Sequence, residues 1–255
     1  MTAAETGGHG ADDRMAGEHG ADGHEDAGPE AAPAASRRRI WWPAALAAAL
    51  ALALGVPALV AGGTSASGTS SSLSVPADDS PEAGFARDMA THHQQAVDLS
   101  FIVRDRTADE PTRTLAFDII NTQANQRGMM MGWLDQWGLT QHSPAKPMAW
   151  MAMGGHGHGA DYQAHDGSLM PGMATTAQLA KLRSLSGREA EVFYLQLMLE
   201  HHKGGVEMAQ GYVDLAHNES EKRLAQSMVI GQTSEIGLIT DMLKDRGAAP
   251  GVPAS

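Results

Sequence analysis

Between residues 81 and 248 the apolar positions recur three and four apart, and no stretch alternates strictly between apolar and polar. That is helical spacing. Ser80-Pro81 opens a first helix that runs to about Arg106. Asp109-Glu110-Pro111 then breaks the chain and starts a second, the proline suiting a first turn. This helix reaches Trp137, and Gly138 is placed to cap its C-terminus. A short helix is expected over 176–185. Gly187 precedes a longer one reaching about His217, Asn218 breaks it, and its partner ends before Gly247. Strand signals are absent, so the folded part reads as all-α.

The pattern repeats. With His92 laid over His201, an offset of 109 (201 minus 92), the alignment runs without a gap from Phe85/Tyr194 to Gly138/Gly247. Met89 meets Met198, His93 meets His202, Gln123 meets Gln232, and Leu134 meets Leu243. Register kept over such a length marks a duplicated unit. Each unit is a helical hairpin, and two hairpins predict a four-helix bundle. The hairpins occupy 81–138 and, with the short helix, 175–248. The connector between them, 139–174, is long for a bundle loop.

The N-terminal portion has a different character. Residues 1–36 are rich in Gly, Ala, Asp, Glu and His and carry almost no large apolar side chain, so a disordered acidic tail is expected there. Arg37, Arg38 and Arg39 abut an uncharged apolar run over 40–63, long enough to cross a bilayer, with Trp41 and Trp42 at its edge. The expectation over 37–63 is an N-terminal transmembrane helix. The tail is then cytoplasmic and the remainder extracytoplasmic. Secretion after cleavage near Ala61 is the alternative. Residues 64–80 form a Ser/Gly-rich linker.

Composition narrows the chemistry. The net charge of -12 argues against a nucleic-acid partner. The chain has no cysteine, which excludes disulfides and thiolate sites, but it has 15 methionines and 12 histidines. In the second repeat Met198, His201, His202 and Met208 share one helical face, as Met89, His92 and His93 do in the first. On the partner helix Gln232, Glu235, Ile239 and Met242 share a face, matched in the first repeat by Gln123, Gln126, Met130 and Trp133. A lone core histidine or a methionine stripe is ordinarily filler. Two His-His pairs, each with Met three and four residues earlier, point to a metal. Thioether and imidazole donors without thiolate favour copper, Cu(I) before Cu(II). No Glu-x-x-His motif is present, which disfavours a di-iron centre. The connector adds Met148, Met151, Met153, His156 and His158, expected as donors on a mobile, glycine-rich segment.

The stretches "FARDMATHHQQAVDLS" and "YLQLMLEHHKGGVEMA" resemble the ferritin-like domain-of-unknown-function family 305, which has a copper-binding, copper-resistance member. The resemblance covers about 81–247. It implies a four-helix bundle outside the cytoplasm that binds copper through Met89, His92, His93, Met198, His201, His202 and Met208. Glu235 and Met242 match the family pattern on the partner helix, whereas the first repeat departs from it with Gln126 and Trp133. The expected function is that of a membrane-anchored copper-binding protein that buffers or sequesters the ion. The partners expected are a metal ion and, through one helix, the membrane. No nucleophile–base pair or phosphate loop is visible. A ferritin-like metal-dependent redox enzyme and a metal-free structural bundle are the alternatives.

Overall fold

The computed structural model describes residues 75–154 and 162–252. The tail, the expected membrane helix, and most of the Ser/Gly linker lie outside these residues. Among the described residues no helix is long and apolar enough to cross a membrane. Five α-helices and no strand are present there: α1 (Pro81–Arg104), α2 (Glu110–Gln136), α3 (Thr176–Ser184), α4 (Gly187–Leu215) and α5 (Glu219–Asp245).

Four of the five helices begin where a side chain satisfies free N–H groups of the first turn; α4, behind Ser186, has no such cap. Ser80 accepts from the Ala83 amide, Asp109 from Thr112, and Asn218 from Ser220 and Glu221. Thr175 and Gln178 form a reciprocal capping box at α3. The two hairpins end alike. Gly138 and Gly247 take φ of 69° and 61°, and the next residues, Leu139 and Ala248, donate back to Leu134 and Leu243. Positive φ is cheap for glycine, so both repeats close with the same turn.

The backbone packing is tightest within the hairpins, α1 against α2 and α4 against α5, and α1 then packs on α4. Each repeat therefore contributes one inner helix, and the histidine pairs sit on the inner two. Two apolar clusters lie along that pair. One holds Leu99, Met198, Met242, Ile239, Phe193 and Tyr194. The other holds Met89, Met208, Phe85, Tyr212, Trp150 and several further methionines. Since Met89 shares a cluster with Met208 and Leu99 with Met198, α1 and α4 run antiparallel.

The connector departs from the expectation of a mobile segment. A 3₁₀ helix, Ala149–Gly154, packs on α1 and α4. Met148, Trp150 and Met151 are buried, as are Met170 and Ala174 further on. Asp88 of α1 accepts from the Met148 amide at 2.7 Å and from the Trp150 indole at 2.9 Å. Large apolar side chains in the connector made this packing favourable, and the glycines between them obscured it.

Candidate metal centre

The four histidines of the paired motifs are all fully buried where α1 meets α4. The rings of His92 and His201 lie against each other at a tilt of 34°, with centroids 3.8 Å apart, and those of His201 and His202 are 6.3 Å apart. Each ring donates from Nε2. His92 donates to the Pro171 carbonyl at 3.2 Å and His201 to the His92 carbonyl at 3.1 Å. His93 donates to Gln126 Oε1 at 2.7 Å, and His202 donates to Glu235 Oε2 at 2.6 Å. The Pro171 and His92 carbonyls cannot donate, so in His92 and His201 the proton is fixed on Nε2 and the lone pair on Nδ1; Gln126 Oε1 and the Glu235 carboxylate likewise hold an Nε2 proton on His93 and His202.

All four Nδ1 atoms are buried without a partner, as are both amide atoms of Gln123 and of Gln232. Each such atom costs about 1–3 kcal/mol in a dry core. Gln123 and Gln232 are equivalent positions of the repeat, so the unpartnered layer follows the internal symmetry. Burial holds His92 at about 3 and His93 at about 4, with the neighbouring imidazoles adding to the effect, and pushes His201 well down. These rings are neutral at physiological pH, the form that ligates metal. A ring that donates one N–H to a carbonyl or carboxylate while its other nitrogen is free has the orientation of a metal-bound histidine.

The chain's donors fit a soft or borderline ion through imidazole and thioether. Among the described residues no three His, Asp or Glu side chains already surround one point. Imidazole and carboxylate donors alone therefore form no ready-made cluster among the described residues.

The structure divides the methionines differently from the face-sharing argument. Met198 and Met208 are ten residues apart, about 15 Å along α4. Met198 and Met242 pack in one cluster, while Met208 packs in the other with Met89, Met148 and Met151. A single ion held by Met198, Met208 and Met242 together is excluded by that spacing. The methionines flank the imidazole layer on both sides instead. Met153 is 57% exposed at the end of the 3₁₀ helix. His156 and His158 lie outside the described residues. Glu235 is where the partner-helix pattern put it, buried and on His202.

The backbone also shapes the site, with no signature in the sequence. Residues 170–174 cross over the histidine layer, held by Gln95, whose amide donates to the Ala174 carbonyl and accepts from its N–H. Gly204 and Gly205 are explained by close approach: a Cβ on Gly204 would overlap the Pro171 carbonyl, and one on Gly205 would overlap the Gln232 amide. Gly204→Ala gains up to about 1 kcal/mol of helix propensity but meets rigid backbone, and overpacking costs about 1–3 kcal/mol. A lower midpoint in thermal denaturation is expected. A rise would show that the 170–174 segment yields easily.

The chain is thus a cysteine-free helical protein with a layer of four imidazoles buried between two duplicated hairpins. The chain belongs to the family of the domain of unknown function DUF305, whose model matches residues 82–243. A DUF305 protein of Streptomyces coelicolor is 56% identical over 69% of this chain and 99% of its own, with a TM-score of 0.62. A DUF305 fragment from Deinococcus radiodurans is 30% identical over 65% of this chain and 96% of its own, with a TM-score of 0.52. CopM in its Cu(I)-bound form is 18% identical over 65% of this chain and 96% of its own, with a TM-score of 0.48. No curated protein matches the chain significantly.

Proposed function

We propose that this chain is an extracytoplasmic copper-binding protein, anchored through residues 37–63, that buffers or sequesters the ion. The observation carrying the proposal is the set of four buried imidazoles with protonated Nε2 and unpartnered Nδ1. Supporting it, methionine sulfur flanks that layer on both sides. Thioether and neutral imidazole suit copper, and neither is lost to oxidation as readily as a thiolate outside the membrane. The Streptomyces coelicolor relative carries the designation of a secreted protein, which agrees with an extracytoplasmic site. In this role the protein's own groups do three things. Nε2 donors fix the ring orientations, burial keeps His92, His93 and His201 unprotonated, and the 170–174 segment covers the layer.

The two repeats are unequal. Glu235 is a carboxylate on His202, whereas the equivalent Gln126 is a neutral amide on His93. A carboxylate partner makes its imidazole the better donor. Cu(I) affinity, measured by competition with a colorimetric chelator, should therefore fall in both paired variants. His201→Gln/His202→Gln should lose about 10- to 100-fold, and His92→Gln/His93→Gln less. Wild-type affinity in both would remove the histidines from the metal site.

A further inference from the structure

The internal repeat also allows the two ends of the molecule to be compared. At one end Arg246, the C-cap of α5, joins three helix termini. Its guanidinium donates to Asp109 Oδ2 at 2.5 Å, to Glu191 Oε2 at 3.2 Å and to Thr112 Oγ1 at 3.0 Å. Subtracting 109 from 246 gives 137, and Trp137 is likewise the C-cap of α2. The same offset takes Glu191 to Glu82, Asp109 to Asn218, and Thr112 to Glu221. The opposite end thus keeps one carboxylate, gains a second, and has an indole where the cation should be.

The local geometry follows the symmetry. Glu191 accepts from Thr107 Oγ1, just before α2, and Glu82 accepts from the His217 amide, just before α5. Glu82 is 4% exposed and Glu221 is fully buried. Tyr212 donates to Glu221 Oε2 at 2.7 Å, while Oε1 is buried with no partner. Among the described residues neither carboxylate has an ion pair. Glu82 is bound to the residue just before the Asn218 cap of α5, and Glu221 lies in that helix's first turn; two buried carboxylates placed so are costly unless something positive joins them.

We propose that Glu82 and Glu221 form a second cation site, for a hard divalent ion with oxygen ligands, occupying the place that the Arg246 guanidinium fills at the other end. The donor set is two carboxylates and a phenol oxygen, with no sulfur or imidazole, so it selects ions of the Mg²⁺, Ca²⁺ and Mn²⁺ class rather than Cu(I). The site shares no residue with the histidine layer and does not depend on copper binding there. Burial pushes Glu221 up to about 8, with repulsion from Glu82 adding to it, so at lower pH a proton occupies the carboxyl that the ion would take.

Mn²⁺ is the probe, followed by electron paramagnetic resonance on the purified full chain at a pH above that value. The wild type should bind an ion that Glu221→Gln and Trp137→Arg both lose, each by at least about tenfold in affinity. Glu221→Gln removes a charge while keeping an acceptor for Tyr212. Trp137→Arg supplies an internal cation instead. Helical circular dichroism should persist in each, and if Glu221→Gln loses it, Glu82→Gln carries the same comparison. Mn²⁺ binding of equal affinity and number in wild type and the folded variants, or none in the wild type, overturns the site.

Discussion

Lowering the pH of the metal-free protein from 7.5 to 4.5 should unfold the helical domain cooperatively. His92, His93 and His201 are buried and neutral, with affinities for protons far below that of an exposed imidazole. In the unfolded chain each returns to about 6.5. Below that pH the unfolded state binds protons that the folded state refuses, so stability falls as pH falls. The loss begins near 6.5 and continues toward the folded values of about 3 for His92 and about 4 for His93. Two pH units below 6.5 cost about 2.7 kcal/mol per ring, or about 8 kcal/mol for three. Glu221 works in the other direction: its raised affinity adds stability as pH falls toward 4.5, by a similar amount for one group. The balance remains unfavourable by about 5 kcal/mol, comparable to the whole stability of many domains. Circular dichroism against pH checks this, with chelator present. Retention of full helicity and thermal midpoint at pH 4.5 would mean that the rings are hydrated in solution. Copper on Nδ1 competes with the proton, so the copper-loaded protein should hold its fold to lower pH.

Trp150→Ala should cost about 3–5 kcal/mol, a fall in thermal midpoint on the order of 10 °C. Trp150 comes from the connector, which the composition alone presents as a spacer. In the structure its ring packs edge-on against Phe85 and Tyr212, which are themselves stacked at 4.2 Å. Its indole N–H is one of two donors to Asp88, whose carboxyl burial pushes upward. Removing the indole leaves a cavity beneath α1 and half of that carboxylate's partners. Trp150→Phe keeps most of the volume and should cost less than half as much. A change within error for Trp150→Ala would return the 3₁₀ helix to the role of a loose connector.

The helices were legible because each begins with Ser, Asp, Thr or Asn at its cap and carries a 3.6-residue apolar stripe. The repeat was legible because Met89, His92 and Gln123 recur in register as Met198, His201 and Gln232. The helical spacing also placed Glu235 on one face with Gln232, Ile239 and Met242, the face that meets His202; which two helices are inner was not legible. The division of the methionines was not legible. Sharing a helical face says nothing about distance along the axis, and only the antiparallel pairing of α1 with α4 sets Met208 beside Met89 and apart from Met198. The contribution of Pro171 was hidden for a different reason. Its carbonyl is common to every residue, and the positive φ of Gly172 that lets the chain turn against Glu200 shows only in three dimensions. Gly204 was a partial signal: it announced a close approach without naming what approached. The contrast between Arg246 and Trp137 was present in the alignment, but it acquired meaning only once Arg246 was seen to hold two carboxylates together.

The proposed function requires a soft metal on the unprotonated Nδ1 atoms of the histidine layer. Imidazole ¹⁵N resonances of the histidine-labelled protein test it most directly, recorded with and without Cu(I). In the apo protein the core rings should carry the proton on Nε2. On addition of Cu(I), Nδ1 resonances of His201 and His202 should shift, assigned through their Gln variants, while the Nε2 protons remain in place. Nδ1 resonances that stay unmoved at saturating Cu(I) would contradict it.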